Sequence, residues 1–330
     1  MTTKYDVVGI GNAIVDVISH GDDSFLENMG ITKGIMQLVE RERAEVLYAA
    51  MKDRVQTPGG SVANTVAGAG TLGLKTAFLG KVKDDALGRF YAKEMIDDGI
   101  GFPNPPAKGD VPPTSRSMIF VSPDGERSMN TYLGAGADFD EGDVDASVAG
   151  DTRFLFLEGY LYDKDEGKRA FTAAARACHA GGGRAGITLS DPFCVDRHRD
   201  DFRRLIAEEM EITLGNREEW LSLYRTEDLE EALAQASDVC ETVVCTRSGD
   251  PVIAIHKGAR VEVPVTRVTP VDATGAGDQF AAGFLYGQAT GQTLEVSARM
   301  GVAAAAEVIA HVGPRPKRSL RQVFAENGLI

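Results

Sequence analysis

The sequence has few cysteines and no long apolar run. Its 330 residues contain Cys178, Cys194, Cys240 and Cys245, and none of them belongs to a Cys-x-x-Cys pair. This spacing fits neither a disulfide framework nor a zinc site, so we expect reduced thiols. No apolar stretch reaches the roughly 18 residues of a membrane-spanning helix. The first residues also lack the basic and apolar regions of a secretory signal, so a cytoplasmic location is expected.

Basic residues are outnumbered by acidic ones. The chain has 35 Lys and Arg against 49 Asp and Glu, a net charge of −14. Such a charge repels phosphate backbones and anionic lipids, so neither nucleic acid nor a membrane is an expected partner. A small phosphorylated ligand stays compatible, because a local pocket can oppose the global field. The length allows roughly two domains, or one large α/β unit with an appendage.

Apolar runs typical of strands alternate with runs typical of helices. The predicted strands are 5–10, 75–82, 153–157, 184–189, 212–214 and 242–246. The predicted helices are 61–72, 86–98, 165–179, 196–208, 217–224, 275–289, 293–308 and 319–325. This alternation predicts an α/β fold in which helices cover both faces of a parallel sheet.

Two segments interrupt the alternation. Residues 32–39 form a short apolar run, and residues 116–133 resemble two strands joined by a Pro123-Asp124-Gly125 turn. Neither segment offers a crossover helix. They predict a small antiparallel lid on the α/β body, with lid segments at about 14–40 and 111–134. An exposed lid edge would allow pairing with a second copy, which leaves monomer and homodimer both open.

Two glycine patterns do not fit a dinucleotide site. Gly68-x-Gly70-x-x-Gly73 lies within or at the end of a predicted helix, whereas the dinucleotide fingerprint must follow a strand. Gly9-x-Gly11 does follow a strand, but Ile14 stands where the third glycine should be. No P-loop motif is present. These observations disfavour a dinucleotide oxidoreductase and a P-loop enzyme.

The strongest pattern is Val271-Asp-Ala-Thr-Gly-Ala-Gly-Asp278, which opens a predicted helix. Small residues at a helix start leave several backbone N–H groups unpaired and aimed at one point, where the helix dipole also favours an anion. Asp278 alone would be an ordinary acidic residue of a first helical turn. Beside an anion-binding loop, its carboxylate can also accept a proton from a hydroxyl group.

Two further patterns are compatible with a polyol. Gly59 and Gly60 precede a helix and would let the backbone approach a ligand, and Asn64 can then both donate and accept hydrogen bonds. Asn12 and Asp16 follow the first strand, at the edge where open α/β sheets bind ligands. Each pattern taken alone is equally an ordinary turn with its own hydrogen bonds.

These three patterns together, in this order, resemble the ribokinase-like (pfkB-type) carbohydrate and nucleoside kinases. The resemblance extends from Gly11 to Pro316 and implies one kinase domain over residues 1–330. It implies that Asp278 is the catalytic base and that the N–H groups of Gly275, Ala276 and Gly277 form an anion hole. Asn12, Asp16, Gly59, Gly60 and Asn64 match the family's acceptor-binding positions.

The same resemblance implies ATP and Mg²⁺ as cofactors. Asn216 and Glu219 match the family's N-x-x-E element, which organises Mg²⁺ through water, although a plain helix start can look the same. Thr246, Arg247 and Gly249 match the nucleotide site, but Ser248 and Pro251 replace two of its usual glycines. Arg247 would either supply positive charge to the phosphates or simply be solvated. The remaining implied nucleotide residues are Thr274, Gly275, Gly277 and Gly313. Some relatives bind K⁺ beside the anion hole, which makes Asp272 a candidate K⁺ ligand.

The acceptor is left open by family membership. The forms around Asp16 and Asn64, and the Thr188–Phe193 stretch, resemble the adenosine-phosphorylating members, which implies transfer to the primary hydroxyl of adenosine. Side chains that would contact a base, or else simply form the lid's own apolar face, are Ile14, Met36, Met118 and Phe120, and Phe193 has the same two interpretations. The alternative acceptors are ribose, fructose or a ketodeoxy sugar acid. A sugar acid would need a cationic partner, which Arg116 or Arg127 would supply. A non-catalytic binding protein is a further alternative, disfavoured by the intact Asp278.

Overall fold

The computed structural model describes residues 3–330, so the first two residues of the expected 1–330 domain lie outside the described residues. The strands are β1 Tyr5–Ile10, β2 Ile14–His20, β3 Met36–Leu38, β4 Val55–Gly59, β5 Thr76–Leu79, β6 Ser115–Val121, β7 Arg127–Tyr132, β8 Thr152–Glu158, β9 Arg184–Thr188, β10 Ile212–Asn216, β11 Thr242–Arg247, β12 Asp250–His256 and β13 Ala259–Val263. The helices are α1 Asp23–Asn28, α2 Arg41–Ala50, α3 Ser61–Thr71, α4 Ala86–Asp97, α5 Ala146–Gly150, α6 Asp165–Ala180, α7 Pro192–Glu209, α8 Arg217–Tyr224, α9 Leu229–Ser237, α10 Ala276–Ala289, α11 Leu294–Ile309 and α12 Leu320–Glu326.

The body is built on an eight-stranded sheet in the order β13-β12-β11-β10-β9-β8-β1-β5. The strands from β11 to β5 pair in parallel, as the alternation predicts. The wholly parallel sheet of the prediction is wrong at one edge, where β12 and β13 pair antiparallel. The cause is local, because a tight turn at Ser248-Gly249 returns the chain directly and leaves no room for a crossover helix.

Helices cover both faces of this sheet, which confirms the α/β prediction. Neighbouring residues of β1 separate the two layers, because Val7 belongs to one buried cluster and Val8 to the other. Helices α3 and α11 contact the strands on the first face. Helices α6, α8 and α9 contact them on the second face. No helix within residues 3–330 is long and apolar enough to cross a membrane.

A second sheet of five strands, in the order β3-β7-β6-β2-β4, forms the lid. The predicted hairpin is confirmed as β6 and β7, which pair antiparallel. The lid is not wholly antiparallel, however, because β2 pairs with β6 in parallel and β3 pairs with β7 in parallel. Strand β4 also belongs to the lid, although it lies outside the two predicted lid segments.

The outer face of the lid is covered by α1 and α2, and this changes the role of three predicted residues. Met118 and Phe120 are fully buried in the core between the lid sheet and these helices, and the Phe120 ring lies 5.2 Å from that of Phe25. Arg116 shares their side of β6 and packs over Tyr48 of α2. Since side chains alternate along a strand, all three point away from the cleft, which corrects the prediction that they contact a ligand.

The glycine-rich segment of α3 serves helix packing, as the sequence predicts. A Cβ at Gly68 would lie 3.0 Å from Ala282 Cβ and closer still to Gln279, both on α10. Helices α3 and α10 therefore approach closely at this point. That approach brings the first turn of α10 beside the first turn of α3.

Strands β1 and β8 lie next to each other in the sheet. The next body strand after β1 is β5, which lies on one side of the pair, and the next after β8 is β9, which lies on the other side. Open α/β sheets have a crevice at such a switch point, outside the carboxyl ends of the strands. Here the lid sheet lies over that crevice, since β2 begins only four residues after β1 ends. The fold thus places the Gly11–Asp16 loop, the end of β8 and the start of α3 around one cleft.

Candidate active site

The Asp278 carboxylate is held in place by α3. Ser61 Oγ donates to one carboxylate oxygen at 2.7 Å, and Asn64 Nδ2 donates to the other at 3.0 Å. Thr65 Oγ1 donates to the backbone oxygen of Asp278 at 3.1 Å. Because Ser61, Asn64 and Thr65 are three and four residues apart, they lie on one face of the helix. Helix α3 therefore orients Asp278, the expected base, and also carries Asn64, which is expected to bind the substrate that is phosphorylated.

Burial raises the pKa of Asp278 to about 6, and the hydrogen bonds from Ser61 and Asn64 limit that rise. The carboxylate is consequently ionised near neutral pH and is more basic than an ordinary Asp. A proton acceptor works best when its pKa lies close to the working pH.

The loop before α10 presents its backbone to the cleft. Gly275 precedes the helix in the left-handed conformation, with φ 80°, and a Cβ there would lie 2.6 Å from Pro314. Gly275 and Gly277 line the cleft. The first N–H groups of a helix have no partner within it, so this turn can receive an anion. Ala276 differs from the prediction, because its N–H donates to Ala273 O at 3.2 Å and the residue lies outside the cleft lining.

The expected acceptor side is formed by Asp16 and the two glycines that face it. Gly59 pairs across the lid sheet from β2, and a Cβ on it would lie 2.6 Å from the Asp16 carboxyl group. At Gly60 a Cβ would lie 2.3 Å from Asn12 O, and φ is 103°. Glycine is therefore required at both positions. Gly59 does not line the cleft itself but makes room for the carboxylate that does.

Asp16 is buried and keeps its oxygens available. Burial raises the pKa of Asp16 to about 6, partly offset by the positive charges of Arg127 and Arg315. No hydrogen-bond donor within residues 3–330 contributes to that pKa. A carboxylate without a donor suits a ligand that brings hydroxyl groups.

Glu158, at the end of β8, is a site residue that the sequence analysis missed. Its carboxylate accepts from Asn12 N at 3.1 Å, from Asn12 Nδ2 at 2.9 Å and from Val62 N at 3.0 Å. It therefore ties the loop after β1 to the first turn of α3. Burial raises its pKa to about 7 in spite of these donors. The available signal was its position, an acidic residue directly after the buried run of 154–157.

The cleft between lid and body has a volume of about 790 Å³. Predicted residues that line it are Asn12, Ile14, Asp16, Met36, Gly60, Asn64, Phe193, Asn216, Glu219, Thr246, Thr274, Gly275, Gly277 and Asp278. Lining residues that the sequence analysis did not single out include Leu38, Ser61, Ser117, Met129, Thr131, Leu133, Glu158, Tyr160, Asp163, Arg197 and Pro314. Predicted residues outside the lining are Gly59, Met118, Phe120, Arg247, Gly249, Asp272, Ala276 and Gly313.

One wall of the cleft is apolar. Met36 and Leu38 of β3 and Met129 of β7 face it from the lid, and their side-chain register follows the pairing of β3 with β7. Phe193, at the first turn of α7, lines the cleft with 76% of its surface exposed. An exposed aromatic ring at the mouth of a cleft is available to stack on a planar ligand.

Asn216 and Glu219 form a capping box at the start of α8. Asn216 Oδ1 accepts from Glu219 N at 2.9 Å, while the Glu219 carboxylate accepts from Asn216 N and from Asn216 Nδ2, each at 2.8 Å. Both side chains nevertheless line the cleft. Burial raises the pKa of Glu219 to about 7. A buried carboxylate of this kind is stabilised by a nearby cation, so it fits Mg²⁺ held through water.

The expected nucleotide segment after β11 is only partly in place. Thr246 lines the cleft, but the Arg247 guanidinium turns outward, donating to Pro251 O at 2.5 Å and to Glu262 at 3.4 Å. Gly249 lies in the exposed turn between β11 and β12. The prediction that Arg247 and Gly249 line the nucleotide site is therefore wrong in this structure. The physical reason is the tight β11–β12 hairpin, which carries both residues away from the cleft.

Comparison with known proteins decides the family. The pattern of the pfkB family carbohydrate kinases matches residues 26–319. The chain belongs to this pfkB family.

Solved structures of similar proteins cover nearly the whole of this pfkB kinase. A probable sugar kinase from Rhizobium etli CFN 42 is 44% identical, with 99% of this chain and 100% of that one covered and a TM-score of 0.90. The adenosine kinase from Sinorhizobium meliloti is also 44% identical, with 98% and 99% covered and a TM-score of 0.89. A 5-dehydro-2-deoxygluconokinase from Halalkalibacterium halodurans is 27% identical over 76% of this chain and 79% of its own.

The pfkB kinase is therefore a phosphotransferase that acts on a hydroxyl group of a small molecule, as the resemblance implies. Such transfers are catalysed mainly by positioning and by stabilising charge on the transferred phosphoryl group. The cleft brings the Asp278 carboxylate next to the start of α10, whose first backbone N–H groups have no partner within the helix.

Proposed function

We propose that this kinase phosphorylates the 5′-hydroxyl of adenosine. The observation that carries the proposal is the division of the cleft into a polar floor and an apolar wall. Asp16, Asn64 and Asp278 form the floor, where a ribose would bind, while the Met36–Leu38 strand and Phe193 form the wall, where a flat base would bind. A free sugar would leave this wall without contacts.

The charges in the cleft support the same acceptor over a sugar acid. A carboxylate ligand needs a cation, and the sequence suggested Arg116 or Arg127. Arg116 faces the outer helices, and Arg127 is paired with Asp272 at 2.7 Å. Arg197 lines the cleft, but Asp163 binds its guanidinium with both oxygens, at 2.8 and 2.9 Å.

The similar proteins support adenosine more strongly than the sugar acid. The adenosine kinase from Sinorhizobium meliloti shares 44% of its residues across nearly the full chain, against 27% over three quarters of the chain for the 5-dehydro-2-deoxygluconokinase. The probable sugar kinase from Rhizobium etli matches equally well, so a sugar remains the second candidate.

In the proposed mechanism the 5′-hydroxyl oxygen would bond to the terminal phosphorus of ATP while its proton passes to Asp278; the bond from that phosphorus to the bridging oxygen would break, and ADP would leave. Asp16 and Asn64 hold the ribose hydroxyls, and Ser61 and Asn64 keep the Asp278 carboxylate aimed at the reacting oxygen. The N–H groups of Gly275 and Gly277 stabilise charge on the transferred group. The lid over the cleft excludes water, which limits hydrolysis of ATP.

The nucleotide would lie along the ends of β10 and β11, beside Asn216, Thr246 and Thr274. Glu219 would hold Mg²⁺ through water, and the ion would neutralise phosphate charge. Within residues 3–330, no group of three or more His, Cys, Asp or Glu side chains is placed to bind a metal ion directly.

The test combines an acceptor panel with the Asp278→Asn variant. ADP release is measured with adenosine, other nucleosides, ribose, fructose and ketodeoxygluconate. We expect adenosine to have the highest kcat/KM, and preference for a free sugar would refute the proposed acceptor. Asp278→Asn should lower kcat by about 10²–10⁴-fold, with ATP affinity near that of the wild type. Activity within a few-fold of the wild type would refute the proposed base.

A further inference from the structure

An ion pair joins the lid to the loop that opens α10. Arg127, the first residue of β7, reaches across to Asp272, with its Nη1 2.7 Å from Asp272 Oδ2. Each of the two side chains is only 8% exposed. Strand β7 of the lid therefore contributes a positive side chain, Arg127, to the loop that opens α10.

The Asp272 carboxylate accepts hydrogen bonds from three nitrogen donors. Its Oδ1 accepts from Thr274 N at 2.9 Å, and its Oδ2 accepts from Gly313 N at 2.9 Å as well as from Arg127. Although burial opposes ionisation, these hydrogen bonds from Thr274, Gly313 and Arg127 hold the pKa of Asp272 below its usual value. The carboxylate is thus charged, and both of its oxygens are already engaged.

This arrangement does not fit the K⁺ that the family resemblance implies at Asp272. A hard cation needs several oxygen ligands pointing at it. Here Thr274 N and Gly313 N each occupy one lone-pair position of the Asp272 carboxylate and Arg127 occupies a third, so a cation at Oδ2 would have to displace the positive guanidinium. Two positive charges in contact with the same buried carboxylate oxygen repel each other strongly.

We infer that Arg127 takes the place of a monovalent cation at Asp272, and that phosphoryl transfer by this kinase is independent of K⁺. The guanidinium balances the carboxylate charge beside the anion-binding turn, as a bound ion would. It differs from an ion in being covalently part of the lid. The inference about activity rests on the kinase function, whereas the inference about Asp272 rests on the ion pair alone.

The first test measures initial rates of the wild type with ATP and its best acceptor in KCl, NaCl or tetramethylammonium chloride at constant ionic strength. We expect rates that agree within about threefold. A bound effector usually changes affinity by at least about fivefold, so a smaller difference indicates that no K⁺ site is coupled to activity. Greater activation by K⁺ over both other cations would overturn the inference.

The second test measures binding without activity, so it stands even if the acceptor is not adenosine. Arg127→Gln exposes the carboxylate, and K⁺ should then raise the melting temperature of this variant by at least about 2 °C over tetramethylammonium. The wild type and Arg41→Gln, which removes an exposed lid charge, should show no K⁺-specific shift, and Arg127→Gln/Asp272→Asn should lose it. A shift in the wild type, or none in Arg127→Gln, would overturn the inference.

Discussion

Removing the hydroxyl of Ser61 should raise the pKa of Asp278, the proposed catalytic base. Ser61 Oγ donates to the Asp278 carboxylate at 2.7 Å and is one of the two side chains that lower the pKa of that group against burial. A hydrogen bond to a charged group contributes about 1.5–3 kcal/mol, and about 1.36 kcal/mol corresponds to one pKa unit. Ser61→Ala should therefore move the pKa of Asp278 from about 6 to roughly 7–8.

The consequence for activity depends on pH in a calculable way. At pH 6 about half of the wild-type base is ionised, whereas a pKa of 7–8 leaves roughly 1–10% ionised, so kcat/KM should fall about 5- to 50-fold. At pH 9 the base is almost fully ionised in both proteins, and the difference should nearly vanish. The sign follows from the raised pKa, since a higher pKa removes the active form from the acid side.

The assay is the pH profile of kcat/KM for the acceptor, which reports ionisations of the free enzyme. Thr65→Val is the matched control, because Thr65 contacts the backbone oxygen of Asp278 and not its carboxylate. Its acid limb should coincide with that of the wild type. An equal loss of activity at every pH in Ser61→Ala, or an unchanged acid limb, would refute the assigned role of Ser61.

Two further predictions test the glycine turn and the apolar wall. Gly60→Ala should lower the free energy of unfolding by at least about 2 kcal/mol in urea titrations, since it combines a positive φ with a contact of 2.3 Å to backbone, and Gly99→Ala, at φ 79° in open space, should cost clearly less. Equal losses would contradict the steric argument. Phe193→Ala should raise KM for adenosine about 5- to 100-fold by loss of stacking while leaving the melting temperature unchanged, because the ring is exposed. An unchanged KM would remove Phe193 from the acceptor site.

Much of the body and the centre of the site follow from the sequence. Strands such as 5–10 and 153–157 are buried on both faces, so they are continuous apolar runs that are easily recognised. The loop that ends in Asp278 combines small residues with a helix start, so its capacity to bind an anion can be inferred without knowledge of the fold. Asn64 follows the Gly59-Gly60 pair and Asp16 follows the first strand, and the sequence allowed either a ligand site or an ordinary turn at each.

The residues that escaped prediction depend on contacts between distant segments. Glu158 and Asn12 are 146 positions apart, and only the order of the strands brings them together. Ser61 begins the predicted helix 61–72, and the structure gives the cap position before it to Gly60 and turns the Ser61 hydroxyl to Asp278. The sequence did contain a usable sign, because Ser61, Asn64 and Thr65 repeat at helical spacing.

The lid was harder to predict than the body. Its outer helix α2 has a highly charged sequence with few buried positions, so its apolar face is weak in the sequence. Without that helix, Met118 and Phe120 look like side chains free to meet a ligand. Their burial is a tertiary effect, as is the outward turn of Arg247 imposed by the β11–β12 hairpin.

The bond between Arg127 and Asp272 gives the lid a cost of opening that does not depend on any ligand. Removing one partner of a buried pair costs about 3–5 kcal/mol because the other charge is left buried and unpaired, whereas opening the lid lets water reach both charges and costs less. Any movement that lifts β7 from the loop before α10 must therefore separate this ion pair, so the position of the lid is coupled to the charge balance of that loop.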